Sequence, residues 1–406
     1  MLRTLSIKNY KSILDHTIEL GRINVFIGEN GCGKTNILEA VAMAGAAMTD
    51  KLGAEELFIR GIRVARPSIM RSSFPGSERQ DIELECGFVE SDDAPTVKLK
   101  IKSDDSSADR HWFRVIDLYP FKLQQDPWDN GADSVLNAIL KRHAPNDSAQ
   151  HVLDLLSNLL APHRLDSLIQ HLRIENTDGR RTIGDFGIYN ASALALRGLE
   201  TFSRRTPIGL HGEALDVAIA SLPAEVWQDV VERARCISWL DDVVVDPTDQ
   251  LKYQGHKPGK SVSTLYFHDR HMHPENNIFS AENVNEGILH ILFHLTLFVS
   301  ASTPKVLGID NIDTALNPQL CRDLMKQLAE LAVKHDKQAL ITTHNPAILD
   351  GLNLHDDDQR LFVVYRDDDG HTLTRRIKAK PQPDGQSLKL SELWMRGHLG
   401  VIPRNF

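Results

Sequence analysis

The pattern of apolar and polar residues predicts two β-hairpins and a strand–loop–helix unit in the first hundred positions. Residues 1–27 alternate like a hairpin that leads into an apolar strand at residues 23–27. Apolar residues then recur at helical spacing to about residue 48. Residues 81–102 alternate again on both sides of a polar turn. We therefore expect an N-terminal antiparallel β subdomain.

The middle of the chain has a different period. Between residues 106 and 258, apolar residues recur mainly at helical spacing, and clusters of Pro, Gly and Asp separate the segments. We interpret this region as a mainly helical insertion between an N-terminal lobe, residues 1–105, and a C-terminal lobe, residues 259–406. The clearest helical segments are residues 134–141, 151–160, 165–172 and 224–240.

The C-terminal lobe alternates between strand and helix patterns. Apolar strands are predicted at residues 261–267, 305–310 and 338–343, with helical segments between them. A polar turn at residues 366–370 belongs to a closing hairpin. Together with the strand at residues 23–27, this order predicts an α/β fold.

Composition narrows the class of protein. The chain has 406 residues, of which 41% are hydrophobic, enough for one large α/β domain with an insertion or for two or three cores. A formal net charge of -9 argues against a generally cationic nucleic-acid binder. The four cysteines show no C-x-x-C spacing, and the longest apolar stretch, residues 288–301, is too short to span a membrane. With no leader-like pattern at the start, we expect a cytoplasmic protein that does not enter a membrane.

A phosphate-binding motif follows the strand at residues 23–27. Its glycines let backbone N–H groups turn toward phosphate oxygens, Lys34 can reach the terminal phosphates, and the Thr35 hydroxyl can ligate Mg²⁺. The next helix presents its positive end to the same anion. The sequence therefore predicts ATP and Mg²⁺ as cofactors. The predicted binding residues are Gly28, Glu29, Asn30, Gly31, Cys32, Gly33, Lys34, Thr35 and Asn36.

Two later strands supply further candidates. The strand at residues 305–310 ends in Asp310, a carboxylate suited to hold Mg²⁺ together with Thr35. The strand at residues 338–343 ends at His344. Because one βαβ unit connects these strands, we expect Asp310 and His344 at neighbouring strand ends, where open sheets bind ligands.

Four segments together resemble a known class. They are the opening strand with its N-Y-K-S turn, the loop G-E-N-G-C-G-K-T-N, the segment D-N-I-D-T-A-L-N-P and the segment T-T-H-N-P. This set resembles the ABC-type ATPase head of SMC, RecF and OLD proteins, over about half of the chain. The resemblance implies an ABC-ATPase-type P-loop fold with a mixed central sheet. We expect no Toprim nuclease domain, because too few residues follow residue 346, and no coiled-coil arms, because residues 105–258 lack sustained heptads.

The resemblance also implies catalytic roles. Asp310 takes the Mg²⁺ position, and His344 falls on the switch histidine that senses the γ-phosphate. Asn311 stands where the class has a catalytic glutamate, which positions the attacking water and can accept its proton, whereas an amide can only orient it. We therefore predict slow hydrolysis, unless Asp313 serves as the base. Asn317 replaces an aspartate of the loop between subunits.

A signature segment that reaches the nucleotide of a second subunit is expected in this class. The candidate is Asn285, Glu286 and Gly287, at the start of an apolar helix. These residues equally suit an ordinary helix cap, and both roles use the same N-terminal N–H groups. For the glutamine that contacts the nucleotide lid, Gln124 and Gln125 are available.

Basic residues near the phosphate loop have two interpretations. Arg60, Arg63, Arg66 and Arg71 could track a phosphate backbone or an acidic partner, or could form an ordinary exposed face. Lys11 could approach the nucleotide phosphates or lie in solvent.

The resemblance implies an ATP-dependent switch. We expect a homodimer or higher oligomer whose state controls a separately encoded, nuclease-like effector, in a DNA-linked process or in defence against phage. Nucleic acid is an open second partner. The alternative is a nearly non-hydrolysing ATP sensor or scaffold that assembles a complex.

Overall fold

The computed structural model describes residues 1–75, 80–88, 96–103, 112–118, 178–200, 207–246, 248, 251, 261–379 and 389–399. The helices expected at residues 134–141, 151–160 and 165–172, and both Gln124 and Gln125, lie outside these ranges. None of the helices described is both long and apolar enough to cross a membrane.

Strands form three sheets in the described ranges. In chain order they are β1 (Leu2–Tyr10), β2 (Ile13–Glu19), β3 (Ile23–Gly28), β4 (Ile82–Phe88), β5 (Thr96–Ser103), β6 (Trp112–Leu118), β7 (Ile188–Tyr189), β8 (Leu240–Val245), β9 (Leu265–Asp269), β10 (Ile278–Ser280), β11 (Val306–Ile309), β12 (Gln338–Thr343), β13 (Gln359–Arg366) and β14 (Thr372–Ile377).

Helices connect and cover these strands. They are α1 (Lys34–Met48), α2 (Ala54–Phe58), α3 (Pro67–Met70), α4 (Asp178–Ile183), α5 (Ala193–Leu196), α6 (Leu215–Ala220), α7 (Ala224–Ala234), α8 (Glu286–Val299), α9 (Pro318–Lys334) and α10 (Leu390–Met395), with 3₁₀ turns at Pro274–Asn276 and Pro346–Gly351.

The first sheet is antiparallel, in the order β2-β1-β4-β5-β6. In β5, buried positions alternate with more exposed ones, because one face of this strand packs against the core. The predicted N-terminal β subdomain is therefore present. Its last strand, β6, lies within the region that the sequence pattern assigned to a mainly helical insertion.

The central sheet has the order β14-β13-β3-β12-β11-β7. It is mixed, as expected from the sequence. β7, β11, β12, β3 and β13 run parallel, and β14 is antiparallel at the edge. Every residue of β3, β11 and β12 is buried, because helices cover both faces of a parallel sheet. Successive side chains of β3 point to opposite faces of the sheet: Phe26 packs in the same cluster as α1, whereas Val25 and Ile27 pack with α8 and α9.

This topology positions the predicted site. The loop after β3, Asp310 after β11 and His344 after β12 all leave the carboxyl edge of the central sheet. The third sheet, β10-β9-β8, is antiparallel, and its residues Leu240, Val243 and Phe267 pack in the same cluster as α8.

Candidate nucleotide-binding site

The loop between β3 and α1 depends on its glycines. A Cβ on Gly28 would lie 2.1 Å from the carbonyl oxygen of Val364, so a side chain has no room there. Gly31 and Gly33 have φ angles of 76° and 108°, which favour glycine. Glu29 and Asn30 are exposed. The backbone thus forms an open loop of the shape that phosphate-binding loops require.

Lys34 begins α1 and is buried over this loop. Its Nζ donates hydrogen bonds to the carbonyl oxygens of Gly28 and Glu29, both at 2.9 Å. Burial lowers the pKa of Lys34, whereas the negative charges of Asp310 and Asp313 oppose that shift. The amine is therefore held at the loop, within electrostatic reach of two carboxylates.

Thr35 and Asp310 meet although 275 positions separate them. The Thr35 hydroxyl lies 3.2 Å from each carboxylate oxygen of Asp310. The Thr342 hydroxyl donates to the same carboxylate, and the Asp310 N–H donates to the Tyr189 carbonyl at 2.8 Å. Hydroxyl and carboxylate oxygens are the hard donors that Mg²⁺ prefers. The glycine cradle, the buried amine and this oxygen pair fit Mg²⁺ with a nucleoside triphosphate.

The segment after Asp310 folds back onto the end of β12. Asn311 has a left-handed backbone, with φ 57°, and its N–H donates to the Thr342 hydroxyl at 3.0 Å. One oxygen of Asp313 accepts from the Thr343 hydroxyl at 2.6 Å and from the His344 N–H at 3.2 Å. Asn311, Asp313 and His344 therefore lie at the same edge as Asp310.

His344 is exposed at this edge. Partial burial of the imidazole lowers the pKa of His344, and the Lys34 charge lowers it further. The charges of Asp313 and Asp310 act in the opposite direction. A depressed pKa keeps the imidazole neutral at pH 7, and a neutral ring can both donate and accept a hydrogen bond.

The predicted signature residues form a helix cap. The Asn285 side-chain oxygen accepts from the Gly287 N–H at 2.9 Å, and Glu286 lies 3.3 Å from Nε2 of His290. A Cβ on Gly287 would be 3.4 Å from the Ala315 carbonyl oxygen, so this helix start borders the segment that leads to Asn317.

Asn317 also acts as a cap in this chain. It is exposed, and its side chain accepts from the Leu320 N–H at 3.0 Å at the start of α9. In the described part of the chain, the hydrogen bonds of the Asn285 and Asn317 side chains stay within their own helix starts and do not reach the loop of residues 28–35. The structure thus brings Lys34, Thr35, Asp310, Asn311, Asp313 and His344 together and leaves the signature residues outside this cluster.

Sequence reasoning missed a buried ion-pair centre beside the loop. Glu39, on α1, is fully buried and accepts from Nε of Arg63 at 2.7 Å and from the Lys11 ammonium group. A glutamate in an otherwise apolar helix segment is the signal that could have revealed it, because buried carboxylates need partners. Arg60 is buried and donates to the Phe186 carbonyl at 3.3 Å. The basic run is therefore not one exposed face.

Asn36 and Cys32 connect the phosphate loop to neighbouring segments. Asn36 donates to the Ser12 hydroxyl at 2.7 Å, and the Cys32 carbonyl accepts from the Thr372 hydroxyl at 2.7 Å. Burial raises the pKa of the Cys32 thiol, although the Lys34 charge opposes this, so we expect a thiol rather than a thiolate at pH 7.

Fold and site together define an ATPase head of the ABC type, in the SMC/RecF-like class. The chain belongs to the family described as "AAA domain, putative AbiEii toxin, Type IV TA system", which matches residues 23–350.

Three individual proteins are similar to this chain over different lengths. A stretch of 55 residues is 42% identical to the DNA replication and repair protein RecF of Halothermothrix orenii, but it covers only 13% of this chain and 15% of that protein. An Smc head bound to the C-winged helix domain of ScpA is 12% identical over 93% of this chain and 98% of that chain, with a TM-score of 0.52, which shows a shared fold. The SMC head domain of Thermotoga maritima is 13% identical over 93% and 99% of the two chains, with a TM-score of 0.46.

Proposed function

We propose that this chain binds ATP with Mg²⁺ at the edge formed by β3, β12 and β11, and hydrolyses it slowly. The observation that carries the proposal is the approach of the Thr35 hydroxyl to both carboxylate oxygens of Asp310, at 3.2 Å, beside the buried Lys34. Bound Mg²⁺ would neutralise charge on the β- and γ-phosphates. Lys34 would bind the same phosphates, and His344 would hydrogen-bond the terminal one.

Asn311 is the residue that would set the rate. Its amide can orient a water molecule but cannot accept the proton, and general-base help is worth about 10²- to 10⁴-fold in rate. Asp313 is the other candidate base, but one of its oxygens already accepts from Thr343 and His344. We infer that turnover is slow while ATP binding is retained.

A second subunit would complete the site. Helix starts recognise anions through their N–H groups, and two helix starts carry the candidate residues Asn285, Glu286, Gly287 and Asn317. Within the described ranges, the side chains of Asn285 and Asn317 bond to their own helix starts and not to the phosphate loop. We therefore propose that ATP joins two copies, or a higher oligomer, in the cytoplasm.

The output of this switch would be a partner protein. The Smc head of similar fold is bound to a ScpA domain, and RecF shares a local match, so a protein effector in a DNA-linked process fits the class. The family description names a toxin system, which supports a nuclease-like effector and a role in defence against phage. Nucleic acid is the second partner in this proposal.

One observation favours a different function. Asn311 and Asn317 both replace acidic residues of the class, so ATP could lock an assembly with negligible hydrolysis. The chain would then be a sensor or scaffold.

ATP binding and phosphate release, each with and without DNA, separate these functions. We expect Mg²⁺-dependent ATP binding that is lost in Lys34→Ala, together with slow release that DNA stimulates. Binding with flat, negligible release would establish the scaffold instead. Equal binding by the wild type and Lys34→Ala would contradict both proposals.

A further inference from the structure

The closing hairpin of β13 and β14 holds the phosphate loop from outside. The Thr372 hydroxyl donates to the Cys32 carbonyl at 2.7 Å, and Nε of Arg366 donates to the Gly31 carbonyl at 3.1 Å. More than 330 positions separate each donor from its acceptor. The loop conformation therefore depends on a distant part of the chain.

Thr372 ends a directional chain of hydrogen bonds. Because Thr372 donates to the Cys32 carbonyl, the Ser12 hydroxyl donates to Thr372 at 2.7 Å, and Asn36 in turn donates to Ser12 at 2.7 Å. Arg63 donates to Asn36 at 2.9 Å. Hydrogen bonds that run in one direction polarise each other, so the hydroxyl of Thr372 is a strong donor to the loop.

Close packing also joins the phosphate loop to the closing hairpin. A Cβ on Gly33 would lie 2.3 Å from the Thr372 hydroxyl and 3.0 Å from the Ser12 hydroxyl. Thr372 is 1% exposed, so neither water nor another side chain can readily replace its hydroxyl. The loop and the hairpin fit because residue 33 has no side chain.

The contact also orients a donor of the loop. In a trans peptide the C=O and N–H groups point in opposite directions. Directing the Cys32 carbonyl toward the hairpin therefore turns the Gly33 N–H to the other side of the loop. Without this contact, part of the free energy of ATP binding would be used to order the loop, and the affinity would fall.

We propose that Thr372 and Arg366 are positioning residues that hold the loop of residues 28–33 in its nucleotide-binding conformation. The effect on affinity rests on the proposed ATP binding. The effect on the loop does not.

Substitution of Thr372 tests the proposal against a matched control on the same strand. Thr372→Val removes the hydroxyl and keeps the shape, whereas Thr374→Val removes a hydroxyl that bonds to Nε2 of His16 at 2.8 Å. We expect Thr372→Val to weaken ATP binding about three- to tenfold. Thr372→Ser, which retains the hydroxyl, and Thr374→Val should stay within about twofold of the wild type.

Arg366→Met provides a second variant at an exposed position, and should weaken ATP binding less than Thr372→Val because water can replace an exposed donor. Thermal unfolding midpoints of all variants show whether they remain folded. A loss of affinity that Thr372→Ser also shows, or that Thr374→Val matches, would mean a general loss of hairpin stability and would overturn the proposal.

Amide hydrogen exchange without nucleotide separates this proposal from the proposed function. Thr372→Val should speed exchange at residues 29–33, and Thr374→Val should not. Unchanged exchange at these residues would reject the role of Thr372. If the wild type fails to bind ATP, the proposed function fails, and the exchange data still decide whether the hairpin holds the loop.

Discussion

Asn311 combines an unusual backbone with an unusual side chain. Its φ of 57° lies in the left-handed region, which asparagine adopts more readily than glutamate. The resemblance to the class aligns this position with a catalytic glutamate, and the chain has here a residue that suits the local turn but cannot accept a proton. The backbone therefore favours asparagine at a position where hydrolysis chemistry would favour glutamate.

Asn311→Glu should increase phosphate release, because a carboxylate there can both position water and accept its proton. The gain can reach about 10²-fold, the low end of general-base effects, since the left-handed backbone costs glutamate some stability. Phosphate release under saturating ATP measures it.

Asn311→Asp is the matched control for the backbone, because aspartate also tolerates the left-handed region but reaches less far. ATP affinity should remain near that of the wild type in both variants. If neither carboxylate speeds release while binding is intact, position 311 does not limit the rate.

Single residues differ in how well the sequence predicted their position. The 3.2 Å approach of Thr35 to Asp310 followed from motifs at two parallel strand ends, which share one edge of a sheet. The ion pairs of Glu39 with Lys11 and Arg63 did not follow, because they join a turn, a helix and a later segment. No local period encodes that approach.

Among the elements, α8 has an unusual interior. It places His290 and His294 one turn apart, both buried, and Nδ1 of His294 lies 2.7 Å from the His290 carbonyl. Burial first, and the His290 charge second, lower the pKa of His294 to about 3. The imidazole is therefore neutral in the folded protein at any pH above that value.

Stability should fall as the pH is lowered below about 6.5, the pKa of histidine in an unfolded chain. Between this value and about 3 the unfolded state binds one more proton at His294 than the folded state, so acid favours unfolding. His294 contributes at most about 1.4 kcal/mol per pH unit to the slope of the free energy of unfolding against pH.

Denaturant midpoints at pH 7.5 and pH 5.5 check this prediction. His294→Gln should reduce the difference between the two midpoints, whereas His355→Gln, in an exposed loop, should leave it unchanged. An unaltered difference in His294→Gln would show that other groups, such as the facing pair of His290 and Glu286, account for the pH dependence.

Elements also differ in how far their sequence predicts them. The hairpins of β1 with β2, β4 with β5 and β13 with β14 were predicted because each has several alternating residues around a polar turn. β7 consists only of Ile188–Tyr189, so no period can appear in it. β6 and β8 are short apolar runs in a region rich in helical spacing, and such runs do not reveal whether they are strand or helix.

At the scale of the whole molecule, one copy of the chain supplies only one side of the proposed two-subunit site. The loop, Asp310 and His344 form one cluster, while Asn285 and Asn317 cap their own helices and present exposed side chains. With a net charge of -9, two copies repel each other at long range, and a bound nucleotide with its cation would have to supply the attraction.

ATP with Mg²⁺ should therefore convert a monomer to a dimer, and Asn285→Asp should weaken this dimerisation. Aspartate caps a helix as well as asparagine does, so the fold and the chain's own ATP binding are retained. Its added charge would face the partner's phosphates, and like charges in an interface cost several kcal/mol, which weakens dimerisation by about a hundredfold or more. Sedimentation velocity with and without ATP measures the association.

Asn353→Asp makes the same chemical change at an exposed asparagine that precedes β13, at the opposite edge of the central sheet, and whose side chain accepts from the His355 N–H. This variant should dimerise like the wild type. Lys34→Ala should stay monomeric at all ATP concentrations because it cannot hold the nucleotide. Association that is independent of ATP would contradict the switch. So would an Asn285→Asp variant that dimerises as tightly as the wild type, because the partner's phosphates would then not face this helix start.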